Sequence, residues 1–300
     1  MERFATLLLC LGVGLSGAGT AFAAPAPATP EGLRAKYSEL QERLKGNDFG
    51  RPLHLDSQET ASDVRGDIHA VLAHPFATVA PALEHPAHWC EILLLHINTK
   101  RCAAEGAEQG SVTLHIGRKH DSPPEQSHAI SFAYRVVARS ADYLQVQLEA
   151  KQGPLSTRDY RILLEAIPLE AGRSFMHLAY SYGFGFSGRF AMQTYLNTVG
   201  RDKVGFTVVG SEPGGSPRYV DGMRGVVERN TIRYYLAIDA FLGAHAAPPA
   251  QRVEKSLRDW FAATERYPRQ LREISEAEYL AAKRQDYARH AQSGRRATGA

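Results

Sequence analysis

The chain has 300 residues, 44% of them hydrophobic, and a net charge of +3. That length suits one large domain or two small ones. The charge is too mild to suggest nucleic acid as a partner. No segment after the first 23 residues is long and apolar enough to cross a bilayer, which takes roughly 20 apolar residues.

Residues 1–23 read as a cleavable secretory signal peptide. Arg3 supplies a short basic start, an apolar run follows from Phe4 to Leu15, and Ala21-Phe22-Ala23 fits the small-residue cleavage pattern before Ala24. The apolar run is short for a membrane anchor. Cys10 follows Leu9 and sits too early for a lipoprotein signal. The expected location is therefore the periplasm or the outside of the cell. Residues 24–62 are expected to form an Ala/Pro-rich leader (Ala24 to Pro30) and an N-terminal helix. Two cysteines remain after cleavage, Cys90 and Cys102. An even count in an exported protein suggests a disulfide, with two buried thiols or a metal site as alternatives. No C-x-x-C motif points to redox catalysis.

Leu33, Tyr37, Leu40 and Leu44 recur at helical spacing over 31–45, and Gly46-Asn47 ends that helix. Gly50 to Ser62 reads as a loop. Asp63–Ala73 alternates as a strand through Val64, Ile68 and Val71. Pro75 then opens a short helix over Phe76–Leu83, in which Pro81 predicts a kink or a split. A second short helix covers His88 through Leu95. From Ile97 to about Phe186 the pattern changes to strands: Ser111–Lys119, Ala129–Ala138, the alternating run around Leu144, Val146 and Leu148, then Tyr160–Leu169 and Ser174–Phe184. Turn signals at Asp121-Ser122-Pro123-Pro124, Gln152-Gly153-Pro154 and Ala171-Gly172 favour an antiparallel meander.

The last third turns helical again. Helices are expected over Gly188–Val199, Val220–Leu242 and Arg252–Arg266, with a strand over Lys203–Val209 and a loop over Glu212–Pro217. Val227, Tyr234, Ile238 and Phe241 mark a stripe on the long helix. Ser275 with Glu278 forms a capping-box pattern for a final helix to about His290. Residues 291–300 are expected to be a disordered tail. Arg252 to Arg296 holds 11 Lys/Arg against 7 Asp/Glu. Such a surplus could touch an anionic membrane surface, or simply be a solvated helical face.

This order predicts an α+β protein in which long C-terminal helices cover an antiparallel sheet. At Asp67-Ile68-His69-Ala70-Val71-Leu72-Ala73-His74-Pro75-Phe76 a strand breaks at a proline into a helix, with Val79 and Leu83 facing inward. That element order resembles the helix-grip fold of START-like lipid-transfer domains and their polyketide-cyclase relatives. The resemblance covers residues 63–243, and 250–290 would be a C-terminal helical extension. The Gly188–Pro217 segment departs from the simple pattern. The alternative is another α+β domain with its helices on one face of an antiparallel sheet. The resemblance implies a cavity between sheet and long helix, and it brings no catalytic residues with it.

The expected ligand-binding residues are Phe132, Tyr134, Tyr160, Phe175, His177, Tyr180 and Tyr182, whose rings offer apolar bodies with polar tips. Each could equally be core. His115 and His177 are candidate general bases, with Asp159 or Glu165 as partners. His85, His88, Glu84, Cys90 and Glu91 make an incomplete zinc-like cluster, so no metal is expected. Gly185-Phe186-Ser187-Gly188 misses the nucleophile-elbow spacing. The leading expectation is an exported, non-enzymatic protein that binds a lipid or other apolar small molecule without a cofactor. An envelope interaction protein without a small ligand, or a cavity enzyme of cyclase-like or hydrolytic type, are the alternatives.

Overall fold

Leucines at spacings of three and four turn Pro30–Lys45 into helix α1, capped by Thr29, whose hydroxyl accepts from Gly32 N at 3.0 Å. The structure is a computed structural model that describes residues 29–117, 127–185, 188 and 203–297. The signal peptide, most of the Ala/Pro leader, the Asp121–Pro124 turn, Ser187 and nearly all of the helix expected over Gly188–Val199 lie outside the described residues.

Gly50 to Ser62 is not a loop. Strand β1 (Leu53–Glu59) occupies most of it and pairs antiparallel with β2 (Asp63–Leu72), Leu55 opposite Ile68. Only Leu53 and Leu55 give β1 an apolar alternation, so its period-2 signal is faint in sequence. Helices α2 (Phe76–Leu83) and α3 (Pro86–Leu94) follow. Pro81 lies inside α2 without splitting it, and the helix ends two residues later.

The strand series opens with β3 (Thr99–Gly106), which had no clear alternation of its own. It continues through β4 (Gln109–Ile116), β5 (His128–Arg139), β6 (Leu144–Gln152), β7 (Thr157–Leu169) and β8 (Arg173–Phe184). Together they form one antiparallel sheet of eight strands, ordered β1-β2-β8-β7-β6-β5-β4-β3. The meander from β3 to β8 is the expected one. β2 closes against β8, so the first hairpin of the chain borders the last strand of the meander.

The strand expected over Lys203–Val209 shifts. Strand β9 (Val208–Ser211) pairs with β10 (Pro217–Tyr219) as a separate ribbon. Residues 205–207 instead follow helix α4 (Gly222–Ala244), because the backbone N–H groups of Phe206 and Thr207 donate to Glu228 on that helix at 2.6 and 2.9 Å. Helices α5 (Pro249–Glu265), α6 (Pro268–Leu271) and α7 (Glu276–Ala297) complete the chain. The capping box opens α7 as expected: Glu278 Oε2 accepts from Ser275 N at 2.9 Å, and Ser275 Oγ accepts from Glu278 N at 3.4 Å. No proline interrupts α7, and it runs past His290 to Ala297, where a disordered tail was expected.

Helix α4 is buried on almost every side, because it lies between the inner face of the sheet and α5. Leu257, Trp260, Tyr279, Leu280 and Tyr287 of α5 and α7 join the same core as the sheet. A second, smaller core lies on the outer face, where Leu33, Leu40 and Leu44 of α1 meet Tyr143, Ile167 and Phe175. A sheet gripped by one long helix, with α2 and α3 between β2 and β3, is the helix-grip architecture. No helix among the described residues is long and apolar enough to cross a membrane.

Two contacts lock the layers. Cys90 of α3 is bridged to Cys102 of β3, closing a loop with a sequence separation of 12. At Gly66 on β2, a Cβ atom would stand 2.5 Å from Thr231 Oγ1 of α4, so the strand and helix approach as only glycine permits. Reducing the bridge should lower unfolding stability by about 3 kcal/mol, read by urea titration with and without reductant. Gly66→Ala should cost about 1–3 kcal/mol by overpacking, and an unchanged urea midpoint would contradict the close approach.

Candidate functional site

Strand alternation places Tyr160 of β7 and Tyr180 and Tyr182 of β8 on the inner face, opposite α4. On α4, Val226, Arg229, Asn230 and Arg233 fall at i, i+3, i+4 and i+7, one helical stripe facing them. Between the two lies an open cleft of about 220 Å3, lined also by Asn98, the β6–β7 turn, Lys203 and Glu273.

The tyrosines pack as a cluster. Tyr160 stacks on Tyr182 at 5.2 Å between ring centroids, and Tyr180 meets Tyr234 of α4 edge-on at 5.2 Å. Thr157 Oγ1 and the Tyr160 hydroxyl lie 2.7 Å apart. Tyr160 reaches its place because Gly153 has no side chain: a Cβ there would stand 2.3 Å from the ring. The adjoining Leu155 and Ser156 hold left-handed backbone (φ 56° and 59°), a costly conformation for residues other than glycine and one often found beside binding sites. Burial pushes the phenols of Tyr160, Tyr180 and Tyr182 upward, and neighbouring tyrosines push the last two further. They therefore stay neutral hydrogen-bond donors at physiological pH.

The helix and its neighbours bring charge. Glu273 Oε1 accepts from Arg233 Nη2 at 2.5 Å and from Lys203 Nζ at 3.0 Å, while Arg229 Nη1 donates to Val204 O at 3.3 Å. The Tyr182 hydroxyl and Asn98 Oδ1 are buried, and neither has a hydrogen-bond partner among the described residues. Such atoms are costly unless something meets them.

The sequence-expected site residues divide between the two faces. Tyr160, Tyr180 and Tyr182 line the cavity. Phe132 stands edge-on to Tyr160 at 6.4 Å, behind the lining. Tyr134 is also on the inner face, but its hydroxyl donates to Leu83 O at 3.5 Å under α2. Phe175 and His177 are on the opposite face, beneath α1, and do not belong with the others. Period 2 requires this: on one strand, odd-numbered 175 and 177 cannot share a face with 180 and 182. Asn98, Arg229, Asn230 and Arg233 were missed. The signal for three of them was present as a polar stripe on a helix otherwise fit for burial.

His177 is the centre of a separate network. Its Nδ1 lies 2.8 Å from Glu165 Oε2 and its Nε2 lies 2.8 Å from Asp67 Oδ1. Tyr143 donates to Glu165 at 2.7 Å, and Arg65 grips Asp67 with two bonds of 2.6 and 2.7 Å. His69 stacks flat on His177 at 4.4 Å. Burial lowers His177, but hydrogen bonds and charge from Asp67 and Glu165 override it and leave the value raised. Burial and then the His177 charge lower His69 to about 3. Burial opposes ionisation of Asp67, yet the Arg65 and His177 bonds hold it well below the carboxylate range.

The other candidates have structural work. Among the described residues no group of three or more His, Cys, Asp or Glu side chains could hold a metal. His85 Nδ1 accepts from Ala87 N at 3.4 Å at the start of α3, His88 Nδ1 donates to Ala82 O at 2.9 Å, Glu84 pairs with Arg139, and Cys90 is in the disulfide. His115 contacts Ser127 at 3.3 Å, and Asp159 pairs with Arg158, so neither meets His177. Cations of the basic C-terminal segment are largely paired within it, as in Arg284 and Arg258 with Glu254, and Lys255 with Asp259.

No family model matches the chain, and no curated protein matches it. Solved structures do. Norcoclaurine synthase from Thalictrum flavum aligns at 10% identity, covering 50% of this chain and 76% of its own, with a TM-score of 0.31. The Zhui aromatase/cyclase from Streptomyces sp. R1128 aligns at 13% identity, covering 49% and 86%, with a TM-score of 0.33. The lipid transfer and protein localization domain of human StarD13 aligns at 9% identity, covering 54% and 88%, with a TM-score of 0.31. The helix-grip description itself rests on this chain's strand order and on the placement of α4.

The histidine pair makes stability depend on pH in two opposed ways. The raised His177 contributes stability that is full below about pH 6.5, the unfolded histidine value, and is lost as pH rises through its folded value. The depressed His69 acts on the acid side, because below about pH 6.5 the unfolded chain takes up a proton that the folded chain refuses. Stability should therefore fall from about pH 6.5 toward its folded value near 3. His69→Gln should flatten that acid limb in urea titrations between about pH 4.5 and 7. Identical acid slopes in variant and parent would rule His69 out as the source.

Proposed function

We propose that the protein binds a small molecule with an aromatic or otherwise apolar body in the cavity between the sheet and α4, and that it does so outside the cytoplasm. The cleft carries this reading: three tyrosine rings and a polar helical stripe line about 220 Å3 on a face packed elsewhere by buried apolar side chains. Drug-sized ligands occupy roughly 300–1,000 Å3, so this space fits a single ring with substituents better than a long-chain lipid. Binding is favoured over catalysis because burial keeps the phenols neutral and His177, the candidate base, lies across the sheet. The reading of residues 1–23 as a signal peptide and the Cys90–Cys102 bridge both suit an oxidising compartment.

The test is native against denaturing mass spectrometry on protein isolated from the periplasm or medium. The expected outcome is a mature start at Ala24 and the extra mass of one small molecule, lost on unfolding. Val226→Trp should fill the cavity and abolish the extra mass while the protein remains folded. A bare-chain mass, with no thermal stabilisation by any member of a single-ring aromatic panel, would remove the binding reading.

A further inference from the structure

We propose that the ligand of this cleft is an uncharged single-ring compound whose polar group both accepts and donates hydrogen bonds, a ring carboxamide being the simplest, seated between the Tyr182 hydroxyl and Asn98 Oδ1. The proposal rests on the ligand-binding reading and goes further by assigning the ligand's charge and its polar group. Tyr182 comes from β8 and Asn98 from the link between α3 and β3, and both line the cleft. Tyr182 is only 4% exposed, and neither its hydroxyl nor Asn98 Oδ1 has a hydrogen-bond partner among the described residues. Their chemistry is complementary. Burial, then Tyr160 and the Glu59 carboxylate, keep the Tyr182 phenol protonated, so it has a proton to donate. An amide oxygen only accepts. Backbone bonds fix Asn98: its N–H donates to His96 Nδ1 at 3.2 Å, and its carbonyl accepts from Gly117 N at 2.8 Å. A ligand that meets both side chains must bring one acceptor and one donor.

The charges of the lining are used within the protein. Glu273 accepts from Lys203 at 3.0 Å and from Arg233 at 2.5 Å. Arg233 also donates to Leu271 O at 3.3 Å, and Arg229 donates to Val204 O at 3.3 Å. Lys203, Arg229 and Glu273 each have a further partner in the chain. A charged ligand would shed water without gaining an unengaged counter-charge. A neutral group with one acceptor and one donor meets Tyr182 and Asn98 without that cost. Its ring would lie among Tyr160, Tyr180 and Tyr182.

Calorimetry on the mature chain, with its disulfide intact, uses four probes built on one ring: benzamide, acetophenone, benzoate and benzylamine. Acetophenone keeps the acceptor of benzamide and puts a methyl group in place of its NH2. Benzamide should bind about tenfold more tightly than acetophenone, which leaves Asn98 Oδ1 unmet, and about tenfold more tightly than either charged probe. Tyr182→Phe should weaken benzamide and acetophenone alike, by about tenfold, because both present the same acceptor. Asn98→Ala should bring benzamide down to the level of acetophenone and leave acetophenone unchanged. Neither substitution breaks a side-chain hydrogen bond among the described residues, so both variants should melt near the parent temperature. The preference of the parent for benzamide over acetophenone needs neither variant. Equal or tighter binding of benzoate or benzylamine would overturn the neutral assignment, and equal binding of acetophenone would overturn the Asn98 seat; both leave the cleft reading standing. Unaltered benzamide affinity in Tyr182→Phe would overturn the Tyr182 seat. No binding by any probe, with a small molecule still co-purifying, would overturn the single-ring assignment alone; with none co-purifying, both readings would fall.

Discussion

The carboxylate of Glu228 holds the layers of this protein in register. It is wholly buried on α4 and accepts from Ser57 of β1, from the backbone N–H groups of Phe206 and Thr207, and from the Thr207 hydroxyl at 2.7 Å. One side chain thereby ties the edge of the sheet, the long helix and the segment entering the β9–β10 ribbon. A charge placed so deep is tolerated only when its oxygens are met by donors, and here each of them is. The cavity depends on this arrangement. With α4 fixed at Glu228 and pressed on β2 at Gly66, its next turn carries Arg229, Asn230 and Arg233 over the tyrosines of β7 and β8.

The two faces of the sheet use polarity differently. The inner face is mostly apolar, apart from the Ser57–Glu228 contact and the cavity, where cations and phenols meet. Beneath α1 the outer face buries a chain of hydrogen bonds, Tyr143 to Glu165 to His177 to Asp67 to Arg65, with His69 laid over its centre. A protonated His177 between two carboxylates compensates charges that would otherwise be buried alone. This network is a fastening of the α1 side of the sheet, separate from the ligand cavity by the thickness of the sheet itself.

The C-terminal helices belong to the core. Trp260 of α5 donates to Arg233 O at 3.1 Å, Tyr279 of α7 donates to Leu95 O at 2.9 Å, and Lys283 donates to Thr99 O at 2.6 Å. They cover the outer side of α4 and reach the α3–β3 corner that the disulfide fastens. Glu273, which joins Lys203 and Arg233 at the cavity, comes from the connection between α6 and α7. The segment that looked like an extension in sequence thus supplies part of the cavity wall.

Local periodicity determined most of the elements: α1, β2, the strands β4 to β8, the long helix and the capping box of α7 were all legible. So was the disulfide, from the cysteine count. β1 and β3 were not, because a strand held by its neighbours can form with few apolar residues of its own. The face assignment of Phe175 and His177 was legible in principle, since strand parity alone separates them from Tyr180 and Tyr182. Only the tertiary structure decided which polar residues meet. Arg229 and Glu273, or His177 and Asp67, lie far apart in the chain, and their pairing follows from how sheet and helices dock. Periodicity reports which side of an element is buried. It does not report what lies opposite, and a binding site is made of what lies opposite.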